Sequence, residues 1–265
     1  MRSLVVVLSA WLVAVAACGF SGAGAGDVSG GPDGASPSSP DGEGGTKDGS
    51  TEVFLDSGVE AAVDAPGCTT LIDDAFVSPP GNWDALGDAN IMSARAQLTA
   101  ADNGGQSGAI WWKSPLAFGS RLTVTVDIAL DLSTGNEGDG IAVGWVPTTT
   151  PYVIGPQGQS FGLCSAGMAG VGATFDTRDN QLAVLSAIDS SCGTSGGVVG
   201  FPALLAAKRF VLEITPTTLT LTTDNGGTVQ RAQASATTGQ LGITAATGSN
   251  QTGHAIKAVK VVSCP

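Results

Sequence analysis

Between residues 121 and 132 apolar and polar side chains alternate without a break. Leu122, Val124, Val126, Ile128, Leu130 and Leu132 fall on one side, and Thr123, Thr125, Asp127, Ala129 and Asp131 on the other. An extended chain points successive side chains to opposite faces, so this stretch predicts a strand with one face in a core and one toward water. Strands of that kind belong to antiparallel sheets, because all-parallel sheets are covered on both faces. The period returns over 210–223, with Phe210, Leu212, Ile214, Leu219 and Leu221; Pro216 between them predicts a bulge, bend or edge position. Asp224-Asn225-Gly226-Gly227 is hairpin-turn chemistry. Further short strands are expected at 141–146, 172–177, 182–188, 241–246 and 258–262. Nothing beyond residue 66 carries a capped 3.6-residue period, and 202–209 could make one helical turn. Many short strands with glycine-rich turns predict an all-β sandwich or barrel. About 200 residues suffice for a sizeable core.

The chain has 265 residues and a formal net charge of −12, from 11 Lys+Arg and 23 Asp+Glu. That charge is unevenly placed: residues 19–65 hold nine acids and one base, Lys47, so the part beyond residue 66 is only mildly acidic. With no basic patch to meet phosphate, nucleic acid is not an expected partner. The single histidine, His254, makes any Ser-His-Asp triad depend on one residue, and a packed structural role is the expectation for it.

Residues 1–17 read as a secretory signal, with Arg2 before an apolar run too short to span a bilayer comfortably. Val15-Ala16-Ala17-Cys18 resembles a bacterial lipobox, which implies diacylglycerol attachment at Cys18; ordinary cleavage after the small residues is the alternative. Residues 18–65 are then a tether. Residues 19–65 include twelve glycines and few large apolar side chains, too few to offset ordering entropy. A coil of this length spans roughly 40 Å r.m.s.. The expected domain occupies 66–265. A lipid-anchored envelope protein follows, at the outer membrane or cell surface, touching membrane through its lipid alone.

With Cys18 assigned to lipid, Cys68, Cys164, Cys192 and Cys264 remain, and export predicts disulfides. Four cysteines allow three pairings. Cys68 and Cys264 bracket the domain, which favours Cys68–Cys264 and leaves Cys164–Cys192. No Cys/His cluster of zinc-ligand spacing occurs.

Three stretches, in order, resemble the legume-like (L-type) lectin domain of the concanavalin A-like lectin/glucanase superfamily. They are Gly138-Asp139-Gly140-Ile141-Ala142-Val143, Ala173-Thr174-Phe175-Asp176-Thr177-Arg178-Asp179-Asn180, and Leu241-Gly242-Ile243-Thr244-Ala245-Ala246-Thr247-Gly248 followed by His254 and a closing strand. The resemblance implies a jelly-roll sandwich of two antiparallel sheets that binds glycans in a loop pocket. Asp139, with Gly140, would accept from sugar hydroxyls; Asn180 would touch sugar and calcium; Asp176 would bind calcium; Gly248, Ser249 and Asn250 would lie in the specificity loop. Trp111, Trp112, Trp145 and Tyr152 are candidates for sugar stacking, although Trp111 and Trp112 must face opposite ways. The pattern is broken at Thr174, where metal-dependent members carry glutamate, and at Arg178. Leu185 stands where a second calcium aspartate would be, with Asp189 as a displaced substitute. No transition metal is expected, and calcium stays open because it wants six to eight oxygens.

Glycoside hydrolases of the superfamily need two carboxylates about 5 to 9 Å apart. Only Glu137 and Glu213 follow residue 66, and neither has an acid at the hydrolase spacing. The reading is a non-catalytic binder of neutral glycans. An adhesion or structural module without sugar binding is the alternative, and a hydrolase the weaker one.

Overall fold

The computed structural model describes residues 67–77, 81–132, 138–165, 168–188 and 198–265. The expected leader and tether, with Cys18, Glu137, Asp189 and Cys192, lie outside the described residues. Sixteen strands follow in chain order. The first eight are β1 (Thr69–Asp74), β2 (Trp83–Gly87), β3 (Asn90–Met92), β4 (Arg95–Thr99), β5 (Ser107–Trp112), β6 (Leu116–Ala117), β7 (Arg121–Asp131) and β8 (Gly140–Val146). Then come β9 (Val171–Asp176), β10 (Gln181–Leu185), β11 (Val198–Gly200), β12 (Arg209–Ile214), β13 (Thr218–Thr223), β14 (Thr228–Ala232), β15 (Thr238–Ala246) and β16 (Gly253–Cys264). The described helices are two single 3-10 turns, Gly158–Ser160 and Leu204–Ala206.

Two antiparallel sheets face each other, as expected of a jelly-roll sandwich. The back sheet runs β14-β13-β12-β7-β16-β4-β3, and the front sheet β11-β10-β9-β8-β15-β5-β2, with β6 beside β15. Strand β16 organises the back sheet. Its full length pairs with β7 on one side; on the other it pairs first with β4, through His254–Ile256, and then with β1, through Val259–Ser263. A register shift between Ile256 and Ala258 marks the handover.

The apolar half of the β7 alternation is realised, with Leu122, Val124, Val126 and Ile128 buried in the core between the sheets, while Thr123 and Thr125 on the other face are buried as well rather than open to water. Pro216 sits in a sharper feature than a bulge. Thr215 N–H donates to Thr218 O at 2.9 Å, so the chain reverses there and β12 and β13 form a hairpin. Pro216 has no N–H to give a ladder, and a turn needs none from it.

The front sheet buries both faces. Trp111, Ala142 and Leu185 point away from the main core into a second apolar cluster with Phe161, Leu163, Cys164, Met168 and Ile188. This is why β5 and β8 show no alternation in the sequence. Their glycines answer the crowding: a Cβ on Gly108 would stand 2.0 Å from the carbonyl oxygen of Leu98. Cys68 and Cys264 are joined by a disulfide, just beyond the Thr69–Ser263 pair. Cys164 is also disulfide-bonded, whereas Cys192 lies outside the described residues.

Candidate functional site

The turn between β9 and β10, the start of β8, the 247–252 loop between β15 and β16, and the 102–106 loop before β5 meet at one end of the sandwich. Their meeting begins with backbone. Gly140 pairs with Asp176, and a Cβ on Gly140 would lie 2.2 Å from the carbonyl oxygen of Phe175. With φ +137° as well, only glycine lets β8 enter the sheet here, which brings Asp139 beside the β9–β10 turn. Thr177 N–H then donates to Asp139 O at 3.1 Å.

The carboxylate of Asp139 is nearly sealed, with 4 % of its side chain exposed. The guanidinium of Arg178 reaches it at 3.3 Å and also grips Asp179, at 3.1 and 3.3 Å. Gly248 N–H donates to the same carboxylate, and a Cβ at Gly248 would come within 3.0 Å of Asp139 Oδ2. Burial pushes the Asp139 carboxyl above its usual range, while Arg178 and the Gly248 amide pull it back. Gly248 is itself pinned from behind: its carbonyl accepts from Gly105 N–H at 2.6 Å.

Asp176 is half-buried and accepts Asp179 N–H at 2.9 Å, the hydrogen bond that closes the turn. Burial raises its carboxyl too. Asn180 ends the turn in the left-handed region, φ +52°, which asparagine tolerates. Its amide Oδ1 is enclosed yet has no hydrogen-bond partner. A buried, unpaired acceptor costs stability, and this one, sealed from the surface, would meet a ligand's donor only if the turn shifted.

Behind these groups lies a buried hydroxyl-imidazole network. Thr99 Oγ1 donates to Thr252 O at 2.8 Å, so it must accept from His254 Nδ1–H at 2.7 Å. His254 Nε2 is then left as an acceptor facing Thr177 Oγ1 at 3.5 Å. Thr177 Oγ1 donates to Gly138 O and Thr252 Oγ1 accepts from Gly138 N–H, both at 2.5 Å. Complete burial lowers the imidazole pKa to about 3, so His254 is neutral. It is packed, as expected, while Thr177 and Thr252 hold Gly138, the residue before Asp139.

Sequence reasoning placed Asp139, Gly140, Asp176, Asn180 and Gly248 at this end, and the fold brings their segments together. Ser249 is exposed and Asn250 half-buried in the 247–252 loop. It missed Thr99, Thr177, Thr252 and the Gly104-Gly105 turn; the run Asp102-Asn103-Gly104-Gly105 was the available signal. The aromatic candidates are corrected. Trp111 is fully buried and stacks on Tyr152 in the second cluster, with ring centroids 5.1 Å apart. Trp145 is buried and donates to Ala236 O at 2.7 Å. Trp112 packs against the main core, and Tyr152 hydrogen-bonds Asp84. All four are used in packing.

The described residues do not make a calcium set. Asp176 and Asn180 offer few oxygens against the six to eight calcium takes. Among the described residues no three His, Cys, Asp or Glu side chains are grouped to hold a metal. A guanidinium already stands among the carboxylates of Asp139, Asp176 and Asp179.

The sandwich is of the legume-lectin type. The lectin I-B4 of Griffonia simplicifolia, in its metal-free form, has 16 % identity and a TM-score of 0.57, covering 72 % of this chain and 98 % of its own. A Bauhinia forficata lectin in complex with GalNAc has 14 % identity and a TM-score of 0.60, covering 74 % and 99 %. The exoplasmic/lumenal domain of VIP36, bound to Ca2+ and Man3GlcNAc, has 17 % identity and a TM-score of 0.56, covering 74 % and 88 %. Residues 71–191 match the sequence model of the Legume-like lectin family. No curated protein is significantly similar in sequence.

Proposed function

We propose that the domain is a non-catalytic lectin that binds neutral glycans at the loop end of the sandwich. The observation that carries this is the enclosed, unpartnered Oδ1 of Asn180, in the same turn whose Arg178 holds Asp139. Hydroxyl-rich ligands supply the donors such an acceptor lacks, once a shift of the β9–β10 turn uncovers it. One guanidinium stands against three carboxylates here, which disfavours acidic sugars. The folds of a GalNAc-bound and a Man3GlcNAc-bound lectin agree with this reading. The one glutamate among the described residues, Glu213, lies on β12 and pairs with Arg121 at 3.8 Å, so no glutamate of these residues stands with the loop-end carboxylates. We further propose a lipid anchor at Cys18 and display from the cell envelope. Labelled palmitate should enter the wild-type chain and not Cys18→Ala.

A glycan array probed with the full chain in detergent tests the main reading. Neutral glycans should bind, and Asn180→Ala should weaken them by about 3- to 10-fold, one hydrogen bond's worth. A blank array overturns it. One observation favours the second reading, an adhesion module without sugar binding: Asp139 is sealed beneath Arg178 rather than open. A blank array with an intact fold would support that module.

A further inference from the structure

We propose that Arg178 is the resident cation of this site, orienting Asp139 by a fixed guanidinium, so that ligand binding needs no calcium. The ligand half of this rests on the glycan reading; the cation half does not. Three observations converge. The Arg178 guanidinium lies within ion-pair distance of Asp139 and Asp179, at 3.3 and 3.1 Å, and Asp176 also stabilises its charge. A divalent ion placed among these carboxylates would have to share the space with a guanidinium already paired with two of them, Asp139 and Asp179. Asp139 is also held without metal, through Gly248 N–H on its carboxylate and Thr177 N–H on its backbone carbonyl.

The chemistry suits the substitution. Calcium collects many oxygens at short range and orders the loops that supply them. Arginine has a planar fork of five donors, always charged, and can hold two carboxylates at once while its remaining donors stay free. Here the fork bridges β8 to the β9–β10 turn, the two segments that carry Asp139 and Asn180. The Arg178 side chain is about a third exposed, at 35 %, so a donor left over from its carboxylate pairs could reach a sugar oxygen. Arg178 is thus a positioning residue with a face toward the ligand.

The test uses the full chain, treated with EDTA, as wild type, Arg178→Met and Arg178→Lys. Calcium is titrated alone by calorimetry up to about 1 mM, the weak end of protein calcium affinities, with the melting temperature read in parallel. Wild type should take up no calcium, its melting temperature should ignore calcium and EDTA, and its array signals should be unchanged by EDTA. Arg178→Met should lose at least about tenfold in glycan signal, the worth of a charge-assisted hydrogen bond. Arg178→Lys, a point charge without the fork, should recover part of it; if the methionine variant fails to fold, the lysine variant against wild type carries the comparison. Calcium uptake by wild type, loss of array signal in EDTA, or full binding by Arg178→Met would each overturn the proposal. A blank wild-type array defeats the glycan reading while the calcium titration still judges the cation.

Discussion

Breaking the Cys68–Cys264 bond should cost this domain much of its stability. The bond joins positions 196 residues apart and fastens β1 to the end of β16. In the folded protein it holds together strands the ladder already pairs, so its main action is on the unfolded chain, where it ties the ends of nearly the whole domain. The chain-entropy relation for a loop of this length gives about 5 kcal/mol at 25 °C. The variant is Cys68→Ala with Cys264→Ala, in which Thr69–Asp74 keeps its partners on β16. Urea denaturation followed by tryptophan fluorescence should show a lower midpoint together with a larger m-value, because the released unfolded chain exposes more surface. For a domain of this size the melting temperature should fall by roughly 10–20 °C. A loss below about 1 kcal/mol with an unchanged m-value would refute the reasoning, since it would mean that the unfolded chain is compact without the bond.

Three further outcomes are expected. His254 is depressed from the ordinary 6.5 to about 3, so below pH 6.5 the unfolded chain takes up a proton that the folded one refuses. Stability should therefore fall by about 1.4 kcal/mol per pH unit between 6.5 and 3; Asp139 and Asp176, raised by burial, oppose this, and a His254→Asn variant melted across the same pH range should lack the slope. Thr252→Val removes the acceptor for Gly138 N–H and should destabilise by about 1–3 kcal/mol while weakening glycan binding; unchanged denaturation would contradict the network. Gly108→Ala meets the Leu98 carbonyl, which cannot swing aside, and should cost about 1–3 kcal/mol or more in a thermal melt, whereas Gly226→Ala, with open space around it but φ +97°, should cost less.

How much of this was legible in the sequence depended on how each strand is covered. Strand β7 announced itself because one face meets the core and the other faces outward, and β12 and β13 did so for the same reason. Strands β2 to β6 stayed silent. Two of them are three residues or fewer, and β5 is buried on both faces, so Ser107–Trp112 carries no period to read. At the site, motif residues pointed to loops that the fold brings together, because Gly140 is demanded by close backbone approach and Gly248 by the Asp139 carboxylate against it. Arg178 could be seen only as a break in a pattern; that its guanidinium lies on Asp139 depends on the folding of the β9–β10 turn. The aromatic residues misled because Trp111 and Tyr152 look like a stacking platform until the second apolar cluster is known to cover them.

The position of β16 has a consequence for how the protein is made. It is the domain's last strand, yet it stands in the interior of the back sheet, and β1, the first strand, finds its sheet partner only there. Strands β4 and β7 likewise wait for it along their inner edges. A growing chain therefore cannot close the sandwich until Cys264 has left the ribosome, because loop closure must come before these distant contacts can form. Until then the nascent polypeptide is an unfinished sheet with an open gap, its bare strand edges in need of protection from its neighbours.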